Sequence, residues 1–114
     1  MLLGALVDAG VPLAGSSDSP VADYNPFVGI WAAIARQTAA GTIFDPSQSL
    51  AREEAIRLYT TGAAFAIREE STRGMIAPGM LADLVALDRD ILTCPTDDIR
   101  AITPHRTIVG GADV

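Results

Sequence analysis

The chain has 114 residues, of which 49% are hydrophobic, and a formal net charge of −6. This length and composition fit one domain with a modest core, whereas the acidity argues against nucleic-acid binding, which needs a basic face to neutralise phosphates. The single cysteine, Cys94, excludes an intrachain disulfide and gives no sign of an oxidising compartment.

The amino end predicts a short helix followed by a strand. Residues 2–9 are apolar up to Asp8, but they lack the basic start of a secretory signal and are far shorter than the roughly 20 residues of a membrane span. We therefore expect a cytoplasmic protein with no membrane partner. Gly10 ends this helix, and the apolar run 11–14 predicts a strand that is buried on both faces.

Asp18 is the main candidate for chemistry, in a loop over 15–23 that is rich in Gly, Ser, Asp and Pro. Barrel enzymes place catalytic groups just past the carboxyl ends of buried strands, where a carboxylate can bind a metal or accept a proton from metal-bound water. The same pattern fits a carboxylate that caps a turn by accepting hydrogen bonds from nearby backbone amides. The local pattern favours the turn cap and leaves both interpretations open.

Two longer helices are predicted next. Asn25 and Pro26 are typical of a helix start, and helical spacing of apolar residues predicts a helix over 26–39. A second helix is predicted over 50–69, with a poor cap at Ser49 because no glutamate stands three residues further on. The predicted apolar faces consist of Phe27, Ile30, Trp31 and Ile34, and of Ile56, Tyr59 and Ile67.

The last third of the chain changes to short β-like runs. Strands are predicted over 84–87 and 107–109, and residues 75–76 form a further apolar run. Gly110-Gly111 predicts a hairpin turn with positive φ at both residues, although only 112–114 remain to form the returning strand. A lone buried strand near the amino end would be normal in a piece of a larger α/β sheet.

The other reactive residues predict no site. His105 is the one histidine, and a zinc site needs three or four ligands, so we expect a surface role for it. Cys94 has no histidine close in sequence and is expected to be structural. The acidic stretch 88–98 lacks the glycine and glutamate of a calcium-binding loop, which favours a solvated acidic loop.

Several ordered motifs resemble the amidohydrolase superfamily, close to its amidohydrolase-3 group. "RGMIAPGMLADLVALDRDIL" resembles the stretch G-x-I-x-P-G-x-x-A-D-L-V-x-L-D, where the family's chain leaves the barrel. "LLGALVDAGVPLAGSSDSPV" looks like the last barrel helix, the eighth strand and the catalytic loop after it. "NPFVGIWAAIARQT" and "SLAREEAIRLYTTGAAFAI" are similar to the two helices that follow, and "TIVGG" to the final hairpin.

The resemblance implies a fold class of an α+β or α/β fragment. Residues 1–70 would supply the last strand and helices of a TIM-like barrel, and residues 71–114 part of a small β-sandwich. The family consists of metal-dependent hydrolases of non-peptide C–N bonds, which use zinc or another divalent metal and small amide-type substrates. By resemblance, Asp18 would lie beside the metal, take a proton from the attacking water and pass one to the leaving group.

The chain departs from the family in ways that lower the expected activity. It lacks the region that carries the family's metal-binding histidines, and Ala51 stands where the family usually has Thr or Ser. We therefore expect a C-terminal fragment of the hydrolase that holds no metal and is inactive by itself. The alternative is a stand-alone, non-catalytic oligomerisation module. An unpaired strand and uncovered helix faces predict a homo-oligomer, a two-fold dimer with the helices over 26–39 and 50–69 in its interface.

Overall fold

The computed structural model describes all 114 residues, with the α-helices in the first two thirds of the chain and a small sheet in the last third. The α-helices are α1 (Leu3–Asp8), α2 (Pro26–Ala35), α3 (Arg52–Leu58) and α4 (Thr61–Ala66), and short 3-10 helices cover Pro46–Gln48 and Thr96–Ala101. The strands β1 (Leu84–Leu87), β2 (Pro104–Val109) and β3 (Ala112–Asp113) form one antiparallel sheet in that order. The fold is therefore α+β, and none of its helices has the length and apolar character that crossing a membrane requires.

Helix α2 begins where the sequence predicts. The Asn25 side chain accepts a hydrogen bond of 2.9 Å from an amide of the first turn, and Pro26 takes the first helical position, which needs no N–H donor. The helix ends at Ala35, so the predicted extension to residue 39 is wrong. The reason is Arg36, whose left-handed backbone (φ 49°) terminates the helix.

The core lies between α2 and the 3-10 helix Thr96–Ala101. Ile99 and Ile102 are the most fully buried large side chains, 0% and 2% exposed. The sequence analysis did not predict this 3-10 helix, whose turn after Pro95 directs Ile99 inward, while the side chains of Asp97 and Asp98 are exposed as expected for the acidic stretch. The rest of the core consists of Phe27, Ile30, Trp31, Ala33, Leu50, Ala55 and Leu58.

Helix α3 begins with a cap that the sequence analysis missed. The Glu54 carboxylate accepts a hydrogen bond of 2.8 Å from the amide of Ala51, the residue before the helix. This bond is one half of a capping box and satisfies one amide that has no partner within the helix. The helix thus begins at Arg52 and does not use Ser49 as its cap.

The helix predicted over 50–69 is two helices, α3 and α4, separated at Tyr59 and Thr60. Thr60 lies outside the helical region (φ −123°, ψ −94°), and its hydroxyl donates to the Ile56 carbonyl at 3.1 Å. The carbonyl of Leu58 accepts a hydrogen bond of 2.8 Å from the Gly15 amide, a partner from the amino-terminal part of the chain. The prediction of one continuous helix is wrong because this distant segment takes up a backbone group of the helix.

Residues 11–14 form an extended connection and not a strand. The Val11 amide donates to the Leu6 carbonyl in α1 at 3.0 Å, and the segment ends at the bond from Gly15 to α3. A strand needs a ladder of hydrogen bonds to a neighbouring strand, and none lies beside this segment. The predicted burial on both faces is also wrong, because Val11 is 42% exposed.

The sheet confirms the predicted hairpin. Gly110 and Gly111 have φ values of 59° and 85°, and β3 returns along β2 immediately after them. The strands predicted over 84–87 and 107–109 are both present, the second extended back to Pro104. The run 75–76 is not a strand, and Ile76 is 89% exposed.

Candidate functional site

Asp18 lies exposed on the turn that follows the extended segment 11–14. Its backbone is left-handed (φ 54°), a conformation that single aspartates tolerate. Its amide donates to Ser16 Oγ at 3.2 Å, and its carbonyl accepts from the Val21 amide at 2.8 Å. The carboxylate has no hydrogen-bond partner in the protein, so Ser16 caps the turn and the Asp18 side chain stays open to solvent.

The chain does not bring together ligands for a divalent metal. Nowhere do three or more His, Cys, Asp or Glu side chains converge on one point, whereas catalytic zinc takes three protein ligands. His105 is exposed on β2, and Cys94 lies half-buried before the second 3-10 helix. The residues present therefore do not fit a metal centre.

Cys94 belongs to a structural cluster around the guanidinium of Arg52. One nitrogen of this group donates to the Ile91 carbonyl at 2.8 Å and lies 3.8 Å from the Cys94 sulfur. The other donates to the Cys94 carbonyl at 2.6 Å and to the Thr96 hydroxyl at 3.2 Å. Arg52 thus ties the loop before the second 3-10 helix to α3, which fits the structural role expected for the cysteine.

The acidic residues after β1 fix backbone instead of forming an open cation site. Asp88 accepts hydrogen bonds from the amide and hydroxyl of Thr103 at 3.2 and 3.0 Å. Hydrogen bonds from Arg89 and from Thr103 hold the pKa of Asp88 below its ordinary value. The amide of Leu92, which donates at 2.8 Å, does the same for the pKa of Asp90. The role of Asp88 cannot be read from the local sequence, because its partner Thr103 lies 15 positions further on.

An apolar groove of about 820 Å³ lies between α4 and the sheet. An ion pair of 3.2 Å between Arg73 and Asp83 stands among the residues that line it. Exposed apolar surface of this kind is typical of interaction sites. The exposed apolar walls include Ile67, Met75, Ile76, Val85 and Val109.

Comparison with known proteins identifies the family of this chain. The sequence model described as "Amidohydrolase family" matches residues 2–114, so the chain belongs to the amidohydrolase family. This confirms the resemblance that the motifs indicate.

Two relatives match along almost the whole of this chain. An N-substituted formamide deformylase from Arthrobacter pascens is 38% identical over 107 residues, which are 94% of this chain and 20% of that protein. A putative amidohydrolase, YtcJ, from Bacillus subtilis (strain 168) is 33% identical over 109 residues, 93% of this chain and 21% of that protein. The chain thus spans about a fifth of the length of these relatives. No solved structure matches it.

Proposed function

We propose that this chain is the C-terminal part of a hydrolase that acts on non-peptide C–N bonds of small amide-type substrates, with Asp18 as its proton-transfer residue. Membership of the amidohydrolase family and the similarity to a deformylase support the reaction class. The observation that carries the assignment of Asp18 is its free carboxylate, which lies exposed on a turn fixed by one hydrogen bond to the Ser16 hydroxyl and one between backbone groups.

A free carboxylate suits the two proton transfers of amide hydrolysis. The attacking water must lose a proton, and the leaving nitrogen must gain one. Asp18 has unused lone pairs to accept the first proton and, once protonated, can donate it to the nitrogen. General acid–base catalysis of this kind contributes about 10²–10⁴-fold.

The two parts of the chain fit two parts of a larger fold in this proposal. Residues 1–70 would complete a barrel, and residues 71–114, with their small antiparallel sheet, would form part of a β-sandwich. Residues 11–14 would become a strand only beside other barrel strands. In this chain the amides of Val11 and Gly15 donate to helix carbonyls instead. Zinc or another divalent metal would be held by residues outside this chain. The location in the cytoplasm stays a prediction.

The test is a chimera in which this chain replaces the matching fifth of the Arthrobacter deformylase. We expect the chimera to release formate from an N-substituted formamide, whereas the 114-residue chain alone releases none. Circular dichroism and a cooperative melt establish that the chimera is folded. A folded chimera without turnover would contradict the proposed function, and turnover by the chain alone would contradict its dependence on other segments.

A second candidate function, an association module, is favoured by the open groove between α4 and the sheet. The predicted interface needs revision, because Phe27, Ile30 and Trp31 on α2 are buried within the chain itself. The groove instead leaves Ile67 of the α4 end and Val85 of β1 more than half exposed. A two-fold dimer would bury these side chains.

Sedimentation equilibrium at micromolar concentration tests this candidate. We expect a dimer for the natural chain, a monomer for Ile67→Asp, and a dimer for the control Val28→Asp, which alters the exposed face of α2. A natural chain that sediments as a folded monomer would contradict a function as an association module.

A further inference from the structure

The ring of Tyr59 lies between the backbones of two segments that are distant in sequence. A Cβ atom added to Gly15 would lie 2.5 Å from the ring, and one added to Gly29 would lie 1.9 Å from its hydroxyl oxygen. Both distances are shorter than real Cβ contacts, so a larger residue at either position would force the Tyr59 side chain to shift. Tyr59 therefore fills the space between α2 and the segment that leads to Asp18. Burial raises the pKa of Tyr59, whose hydroxyl stays protonated at neutral pH.

We call the arrangement of the Tyr59 ring against Gly15 and Gly29 the Tyr59 seat. The break between α3 and α4 adds two further contacts to it. The Gly15 amide donates to the Leu58 carbonyl at 2.8 Å, directly before Tyr59 in the chain. The Leu13 carbonyl approaches α4 so closely that a Cβ atom on Gly62 would lie 2.0 Å from its oxygen. The backbone over 13–15 is thus hydrogen-bonded to α3 at Gly15 and lies close against α4 at Leu13, while the Tyr59 ring contacts Gly15.

The turn that carries Asp18 depends on this seat for its position. Its own hydrogen bonds, from Asp18 to Ser16 and from Val21 to Asp18, join residues within the turn and none outside it. The bond from Gly15 is the last one before Asp18 that reaches another element. Internal bonds preserve the shape of the turn, whereas its position depends on the contacts at its two ends: those of Gly15 and Tyr59 on the amino side, and the Asn25 cap of α2 on the carboxyl side.

We propose that Tyr59 is a positioning residue for Asp18, an inference that deepens the proposed function and rests on it for its catalytic meaning. The ring carries the role and the hydroxyl does not, because the hydroxyl has no hydrogen-bond partner in the protein. Removal of the ring frees the backbone at Gly15 and lets the carboxylate leave its place, whereas removal of the hydroxyl alone leaves the seat filled.

Amide hydrogen exchange of the natural chain, Tyr59→Phe and Tyr59→Leu provides the test. The measured quantity is the exchange rate at Gly15 divided by the rate at Leu50, whose amide bonds to α2 in the core. We expect Tyr59→Leu to raise this ratio by about tenfold, through local opening, and Tyr59→Phe to restore it to within about twofold of the natural value.

A matched control separates local release from general weakening. Ile99→Val weakens the core between α2 and the second 3-10 helix, to which Leu50 also belongs, and keeps the Tyr59 ring. General weakening of this kind should not raise the ratio of Gly15 exchange to Leu50 exchange. Tyr59→Leu with a ratio equal to that of Ile99→Val would overturn the proposal, as would Tyr59→Phe with the ratio of Tyr59→Leu. The measurement needs no turnover, so its failure is distinct from a failure of the proposed function.

Discussion

The indole nitrogen of Trp31 donates a hydrogen bond to the carboxylate of Asp97 at 3.2 Å. The bond joins α2 to the second 3-10 helix across 66 positions of sequence, and the Arg100 guanidinium covers the same indole ring at 4.7 Å from its centroid. The helical and β-rich parts of the chain are thus linked by a polar contact at the edge of the core.

Loss of that hydrogen bond should weaken the fold. Asp97→Ala leaves the indole N–H of Trp31 without its partner and also removes an exposed ion pair with Arg100 at 3.9 Å, and together these losses should lower the free energy of unfolding by about 1–2 kcal/mol. Urea denaturation measures the change. The control is Asp98→Ala, whose exposed ion pair with Arg89 at 3.8 Å should contribute less than about 0.5 kcal/mol. Equal effects of the two substitutions would show that the bond to Trp31 adds nothing.

The buried isoleucine of the second 3-10 helix should dominate the core. Ile99→Ala creates a cavity around a side chain that is 0% exposed, and the expected cost is about 2–5 kcal/mol. Ile76→Ala is the matched control, since that side chain is 89% exposed and its loss should change stability by less than about 0.5 kcal/mol. If Ile99→Ala lowered the free energy of unfolding no more than Ile76→Ala does, the assignment of Ile99 to the core would be contradicted.

Asp88 should make stability depend on pH in the acid range. Arg89 and Thr103 hold its pKa below the ordinary value of 3.8, so the unfolded chain takes up this proton more readily than the fold does. The stabilisation is therefore complete above the unfolded pKa and is lost as the pH falls through the lower folded pKa. Melting temperatures from about pH 7 down to about pH 2 should show Asp88→Asn less stable at neutral pH, with the difference shrinking in acid. A difference that stays constant over this range would contradict the assignment.

The isolated chain should not retain zinc. Asp18, Cys94 and His105 do not belong to any cluster of three ligands, so no site within the chain can bind the ion tightly. Elemental analysis after dialysis against zinc and then against buffer should give far less than one zinc per chain. Stoichiometric zinc would reveal a site built between copies of the chain.

Local sequence signals predicted the features that depend on neighbouring residues. Asn25 and Pro26 start α2 because a side-chain acceptor and a missing N–H both suit a first turn. Gly110 and Gly111 form the predicted hairpin because both tolerate the positive φ that the turn requires. The Gly, Ser, Asp and Pro residues over 15–23 likewise predict the loop that carries Asp18.

Features set by distant contacts could not be predicted in the same way. The break after Leu58 arises where Gly15 bonds to the helix, and Ile99 is buried by α2 although acids precede it in sequence. The strand predicted over 11–14 fails for the opposite reason, since the partners that a strand needs are not beside it. The conformational preferences of neighbouring residues thus specify the local structure, whereas tertiary contacts decide where each helix or strand ends.

The most direct measurement of the central claim compares two aspartates in the deformylase chimera. Asp18→Asn removes the proton-transfer group and should lower kcat by about 10²–10⁴-fold while the melting temperature is unchanged. Asp8→Asn, an exposed carboxylate in α1, is the matched control and should keep the kcat of the parent chimera. Near-parental turnover by a folded Asp18→Asn chimera would contradict the assignment of Asp18 as the residue that transfers the proton.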